Sequence, residues 1–296
     1  MKAKLRTARN IARAVRRGET FPAAGRVPAA DAPGGSVRSL LVEGRGEMSQ
    51  VELGVHTVPL AGLAAPLRVV QVSDVHLRED GPWVDTTLRW IAAAVVDAVP
   101  DVLVLTGDVV TRGWERGAAE RFLGGLPKAR LGTLAVMGNW EHWGGAPPSV
   151  WEPLCAAHGV QLLRDAHVTL GGVTFVGTED MLAGPADLDL AFTGVGGDSA
   201  AVVLSHSPAI FPRVAARAPN PAGTLVLSGH THGGQVKIPF LGPFFLPRGS
   251  GAYPWGWYAQ GGAHLHVNRG LGWSITPARW GARPEISTHL LVPGRT

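Results

Sequence analysis

The chain has 296 residues, 45% hydrophobic and 17% charged, ordinary globular material long enough for one large core or two small ones. Its single cysteine, Cys155, excludes intramolecular disulfides and any cysteine-based zinc site, as expected of a protein from a reducing compartment. The net charge of +4 is unevenly placed: the first twenty residues hold seven basic side chains against Glu19, so the rest carries −2 and lacks the basic footprint of a nucleic-acid-binding domain.

At the N-terminus, Leu5, Ala8, Ile11, Ala12 and Val15 fall at helical spacing between basic residues. Residues 3–17 therefore predict either a short amphipathic helix at an anionic membrane surface or a mobile tail without a role. No apolar h-region follows, so Arg16-Arg17 does not read as part of a secretory or twin-arginine signal. No run approaches the ~18 to 20 apolar residues that span a bilayer. Residues 20–47, rich in Ala, Gly and Pro, read as a flexible linker, giving a tail at 1–47 and a folded domain at 48–296, with Met48 as an alternative start.

From residue 50 onward strand-like and helix-like segments alternate, as an α/β fold requires. Val69–Val72 leads into Ser73-Asp74-Val75-His76, and a helix follows over Trp83–Val99. Val102–Leu105 reaches Gly107-Asp108, Leu134–Met137 reaches Gly138-Asn139, and helices are expected near 114–125 and 148–158. Val173–Val176 precedes Gly177-Thr178-Glu179-Asp180, and Val202–Leu204 reaches Ser205-His206 before a helix near 208–218. Leu225–Leu227 then ends in Gly229-His230-Thr231-His232. Runs this apolar suit strands buried on both faces, and in open α/β sheets the site gathers beyond the strands' carboxyl ends.

Those strand ends supply two Asp, one Asn and four His, the makings of a dinuclear metal site. Imidazole, amide and carboxylate donors without thiolates suit Mn, Fe or Zn rather than copper(I) or iron-sulfur centres. Two carboxylates against two divalent ions leave a positive surplus that suits an anionic phosphate, and such a pair can activate water and clamp an in-line displacement at phosphorus.

Asp74-Val75-His76, Gly107-Asp108, Gly138-Asn139, Ser205-His206 and Gly229-His230-Thr231-His232 resemble, in order, the five blocks of the calcineurin-like metallophosphoesterase superfamily. The likeness covers roughly residues 65–290. Gly233-Gly234-Gln235, Asn268-Arg269-Gly270-Leu271-Gly272 and Arg283-Pro284-Glu285 are similar to a bacterial branch of YkuE-type phosphoesterases and UDP-2,3-diacylglucosamine pyrophosphatases. The resemblance implies a four-layer αββα sandwich, two mixed β-sheets flanked by helices. It also implies Asp74, His76 and His232 on one metal, Asp108 bridging, and Asn139, His206 and His230 on the other. The implied activity is phosphodiester or pyrophosphate hydrolysis through a metal-bridging hydroxide, on a phosphate-ester small molecule or a nucleotide-linked lipid. Nucleic acid is disfavoured, and the expected location is the cytoplasm or the inner face of the membrane. The alternative is a non-catalytic scaffold of the same fold.

Trp140 departs from the family pattern, in which a histidine follows the asparagine and contacts substrate. Indole offers one N–H and no titratable proton, and general-acid help is worth ~10² to 10⁴ in rate. Either His142 takes that role beside Asn139 and His206, or the leaving group needs no proton, or the protein is a weak catalyst. Arg248, Arg269 and Arg279 could grip a second phosphate or be ordinary surface arginines. The aromatics of 237–258, Phe240, Phe244, Phe245, Trp255 and Trp257, could cap a substrate or fill a satellite core. His264 and His266 alternate as on one face of a half-exposed strand, and His56, His158, His167 and His289 read as surface residues.

Overall fold

A computed structural model describes residues 33–41, 50–96, 99–238, 242–243, 245–275 and 277–294. Its strands in chain order are β1 (Gly35–Leu41), β2 (Gln50–Leu60), β3 (Leu67–Val72), β4 (Val102–Thr106), β5 (Gly132–Val136), β6 (Val160–Leu162), β7 (Ala166–Leu170), β8 (Val173–Gly177), β9 (Ala201–Leu204), β10 (Thr224–Ser228), β11 (Lys237–Ile238), β12 (Gly242–Pro243), β13 (Gly256–Gln260), β14 (Ala263–Val267) and β15 (Glu285–Pro293). A seven-stranded sheet runs β1-β2-β15-β3-β4-β5-β6 and a six-stranded sheet β13-β14-β10-β9-β8-β7, with β11 and β12 as a small ribbon. Both large sheets are mixed: β3, β4, β5 and β6 pair in parallel, as do β8, β9, β10 and β14, while the flanking pairs include antiparallel ones.

The period of two in each strand sorts its residues into two cores. Val102 and Val104 of β4 join Val69, Leu134 and Val136 in a layer facing Val202, Leu204, Leu225 and Leu227 of the other sheet. Their neighbours Leu103 and Leu105 face outward, onto Trp90 and Ile91 of helix Pro82–Ala94, Phe122 of helix Arg116–Gly124 and Trp151 of helix Pro148–Ala157. On the far side, Val203, Val226 and Leu265 pack against Phe211 and Val214 of helix Phe211–Arg217 and Leu188 of helix Leu188–Ala191. Helix, sheet, sheet, helix is the expected four-layer sandwich, and the uninterrupted apolar runs follow from burial of both strand faces.

The differences from the sequence reading are local. The segment assigned to a linker contains β1, whose Gly35–Leu41 pairs antiparallel with Gln50–His56 of β2 and extends the seven-stranded sheet. Its Gly-rich start and the exposed residues 36–39 hide the pairing, because an edge strand needs backbone partners more than an apolar face. The proposed amphipathic tail at 3–17 and Met48 lie outside the described residues. The helix expected over Trp83–Val99 spans Pro82–Ala94 instead; Val96 and Val99 are exposed, so the periodicity outlasts the packing. The segment near 208–218 starts as the 3-10 turn Pro208–Ile210 and becomes helical at Phe211. No helix among the described residues is long and apolar enough to cross a membrane.

His289 is fully buried and His56 half-buried, where the sequence reading placed both on the surface. They sit in the layer between the sheets beside His266, which is also buried although its strand was expected to be half-exposed. Trp257 belongs to the same layer and Tyr258 to the outer core, so part of the 237–258 region fills core. Phe240 and Phe244 lie outside the described residues.

Candidate metal centre

The carboxyl ends of β3, β4, β5, β9 and β10 gather at one edge of the two sheets. Loop backbone continues the ladders there: Asp74 N–H donates to Gly107 O at 3.0 Å, His76 N–H to Asp108 O at 3.0 Å, and Gly229 N–H to His206 O at 3.1 Å. Five of the seven candidate ligands then leave the strands in the left-handed region, with φ of 51° at Asp74, 54° at His76, 52° at Asp108, 70° at His230 and 50° at His232. Such φ values are uncommon for residues other than glycine and are held only where surrounding structure over-determines them. The sharp turn lets successive side chains, such as Asp74 and His76, point into one cup.

Close approach also dictates two glycines. A Cβ on Gly138 would stand 2.3 Å from Asp108 Oδ1, and one on Gly229 would stand 1.9 Å from Ser73 Oγ and 2.3 Å from Asp74 Oδ2. Any side chain at either position would displace a candidate ligand.

The structure brings the ligands together as two groups. Asp74, His76 and His232 form one and Asp108, His206 and His230 the other; within each, one ligand atom per residue lies within 4.8 Å of the others, and all six side chains are buried. His76 Nε2 is 2.9 Å from His232 Nε2, and His232 Nε2 is 3.4 Å from Asp74 Oδ1. Across the cup, His206 Nε2 is 3.2 Å from Asp108 Oδ2 and 3.1 Å from His230 Nδ1. Asp108 Oδ2 also lies 3.7 Å from His76 Nε2, between the two groups.

The outer hydrogen bonds turn these atoms inward. His206 Nδ1 donates to Thr106 O at 2.8 Å, and His230 Nε2 donates to Arg248 O at 2.6 Å, so the remaining nitrogens face each other and Asp108. Asn139, buried at the start of helix Asn139–Gly144, has an Oδ1 with no hydrogen-bond partner among the described residues. Converging acceptors and an orphaned buried amide oxygen are what a pair of divalent cations requires.

Electrostatics agree. Burial takes His76 and His230 down to about 4 and His232 well below its ordinary range, leaving neutral imidazoles able to coordinate. His206 differs: burial pulls the same way, yet the Asp108 carboxylate overrides it and holds the ring well above, so a cation binding there would displace a proton from Nε2. Burial also raises Asp74 to about 6, with Asp108 adding to the effect.

Other expected residues sit elsewhere. His142 follows Asn139 on the same short helix, but its Nε2 faces the Glu179 carboxylate at 3.7 Å, which Arg164 also engages. Trp140 takes the place beside the ligands: its backbone N–H donates to Asp108 Oδ1 at 2.8 Å, and its indole stands edge-on to His76 and to Trp143, which is 55% exposed. Arg269 is committed to Glu285 and Glu52, whereas Arg279 is buried, donates to the carbonyls of Gly272 and Ala282, and lies 3.0 Å from His232 Nδ1. Arg248 contributes its carbonyl to His230.

Two positioning residues escaped the sequence reading. Glu141 is buried and accepts the N–H groups of Gly138, Asp108, Val109 and Val110. Asp180, also buried, accepts from Ser207 Oγ at 2.5 Å. Glu141 carries a faint signal, an acid three residues after the glycine that opens a helix; Asp180 carries none beyond its place after a strand.

A family model described as calcineurin-like phosphoesterase matches residues 67–234. The chain is 31% identical over 231 residues to the uncharacterized metallophosphoesterase YkuE of Bacillus subtilis, covering 76% of this chain and 78% of the relative. It is 29% identical over 285 residues to the UDP-2,3-diacylglucosamine pyrophosphatase LpxG of Chlamydia muridarum, covering 74% and 82%. It is also 29% identical over 239 residues to the phosphodiesterase YaeI of Escherichia coli, covering 77% and 83%.

Proposed function

Because the chain belongs to the calcineurin-like phosphoesterase family and is a hydrolase, we propose that it cleaves a phosphodiester or pyrophosphate bond in a nucleotide-linked lipid. In this reading Asp74, His76 and His232 hold one divalent ion, Asn139, His206 and His230 hold the other, and Asp108 serves both. When bound, the ions, of the Mn, Fe or Zn type, supply a water of lowered pKa and positive charge at phosphorus. The observation that carries the reading is the convergence of His230 Nδ1 and Asp108 Oδ2 on His206 Nε2, at 3.1 and 3.2 Å, with the outer nitrogens of both rings already donating.

The chain's own contribution is orientation and exclusion. Thr106 O and Arg248 O fix the two rings, and Trp140 walls the cup beside His76 with a side chain that transfers no proton. A site so built favours a leaving group that departs as a stable anion, such as a nucleotide phosphate. An exposed aromatic stands near it: Trp143, 55% exposed, lies edge-on to Trp140, which itself stands edge-on to His76, and Trp280, next in sequence to Arg279, is 65% exposed. Exposed aromatics beside a polar cup fit acyl chains next to a phosphate, in keeping with the diacylglucosamine substrate in the name of the chlamydial relative.

The test is metal-dependent turnover of bis(p-nitrophenyl) phosphate, then of UDP-2,3-diacylglucosamine against the same nucleotide sugar without acyl chains. A higher kcat/KM for the acylated substrate supports the lipid assignment; equal values sink it. Metal binding without turnover of any diester or pyrophosphate sinks the catalytic one.

A further inference from the structure

A polar island interrupts the apolar layer between the sheets. On β2, Gly54 and His56 share the inward face with Val58 and Leu60, and on β15, Glu285, Ser287 and His289 share it with Leu291. His266 reaches in from β14 of the other sheet. The rings of His56, His266 and His289 lie 5.0–5.6 Å apart by centroid, with Trp257 over all three at 4.6–5.8 Å. In such apolar surroundings three imidazoles and a carboxylate need compensating partners.

Gln71 determines how the rings are protonated. Its Nε2 donates to Ser228 O and Thr106 Oγ1, both at 3.1 Å, and a carbonyl can only accept, so the amide orientation is fixed and Oε1 faces the histidines. His289 Nε2, at 3.2 Å, and His266 Nδ1, at 3.4 Å, must therefore carry the protons donated to Oε1. In neutral His266 the other nitrogen, Nε2, is then a lone pair, and it points at Glu285 Oε1 at 3.6 Å. His56 Nε2, a third buried acceptor or donor, has no partner among the described residues.

We propose that His56, His266 and Glu285 bind a third divalent transition-metal ion, separate from the dinuclear centre, that clasps β2 and β15 of one sheet to β14 of the other. One ligand atom from each lies within 4.8 Å of the other two, the same closeness found in the two groups of the catalytic cup. Metal bonds of ~2.0–2.1 Å at tetrahedral angles separate ligand atoms by roughly 3.3 Å, near the 3.6 Å between His266 and Glu285. Gln71 plays the orienting part that outer hydrogen bonds play in metal sites. Arg269 occupies Glu285 Oε2, while Oε1 accepts from Ser287 Oγ at 2.8 Å and keeps its other lone pair turned toward His266. His56 is cradled by glycines: a Cβ on Gly54 would come within 2.8 Å of its Nε2, and one on Gly35 within 2.9 Å of its Nδ1. Its partial exposure supplies an entry path.

The test titrates Co²⁺ alone, and Zn²⁺ alone, into metal-stripped full-length protein, with elemental analysis after desalting. Wild type is expected to retain three equivalents, His56→Gln and His266→Gln two, and His56→Gln should keep wild-type turnover of bis(p-nitrophenyl) phosphate. His206→Ala should instead lose metal from the catalytic pair and keep the third ion, so failure of one site is distinguishable from failure of the other. A wild-type limit of two equivalents, or three retained in both histidine variants, overturns the proposal. If the variants do not fold, anomalous scattering at the cobalt edge from wild-type crystals decides: a peak between His56, His266 and Glu285 supports the site, and its absence ends it.

Discussion

Glu141 lies beneath Asp108 and holds it in place: Oε2 accepts the Asp108 N–H at 2.9 Å, and Oε1 accepts those of Val109 at 2.6 Å and Val110 at 3.2 Å. A buried carboxylate thereby stabilises a residue whose φ of 52° few side chains adopt unaided. In Glu141→Gln an amide N–H₂ must face one of these donors. Metal affinity is expected to fall by about 10- to 100-fold and stability by about 1–3 kcal/mol, read by Co²⁺ calorimetry and thermal unfolding. Unchanged affinity would mean that Asp108 is held by other contacts.

His206→Ala removes a ring that touches Asp108 and His230 at 3.2 and 3.1 Å. Diester turnover is expected to drop by at least about 10², the scale of losing one stabilising group at a reacting centre, with far-ultraviolet dichroism unchanged. Retained turnover would remove His206 from the centre.

At Gly229 a methyl group would collide with Ser73 Oγ and Asp74 Oδ2 at 1.9 and 2.3 Å. Gly229→Ala is expected to cost about 1–3 kcal/mol by overpacking and to weaken metal binding together with stability. Loss of stability with full metal affinity would show that the loop yields without moving Asp74.

Trp140 places indole where proton donation would be useful, while His142 is turned toward Glu179. Trp140→His is expected to raise turnover of alkyl phosphate esters, by up to about 10² to 10⁴ if proton donation limits them, and to change p-nitrophenyl esters little. His142→Ala should leave diester turnover within about twofold of wild type, the scale of a residue that transfers no proton. A large loss there would restore His142 as the acid.

Cys155 is packed on the outer core behind the seven-stranded sheet, where burial pushes its thiol up to about 12. Against an ordinary value of 9.0, native protein at pH 8 should react with thiol reagents about 10³-fold more slowly than unfolded chain, because the thiolate is the reactive form. Labelling at the unfolded rate without denaturant would show that helix Pro148–Ala157 opens readily.

The sequence by itself determined which strands are buried and where the chemistry begins. Runs such as Val102–Leu105 are apolar at every position because both faces of β4 are covered, and Asp108, Asn139 and His206 are legible because each follows such a run. What only the tertiary structure decided depends on pairing between distant segments. Gly35–Leu41, exposed over residues 35–39, becomes a strand because β2 supplies hydrogen bonds. Glu141 matters because its helix lies against the Asp108 loop, and His56, His266 and His289 meet because β2, β14 and β15, on two different sheets, present the same parity to one layer. Local spacing records which face a side chain takes; it does not record which strands face each other across the core, and charge, tautomer and coordination follow from that second fact.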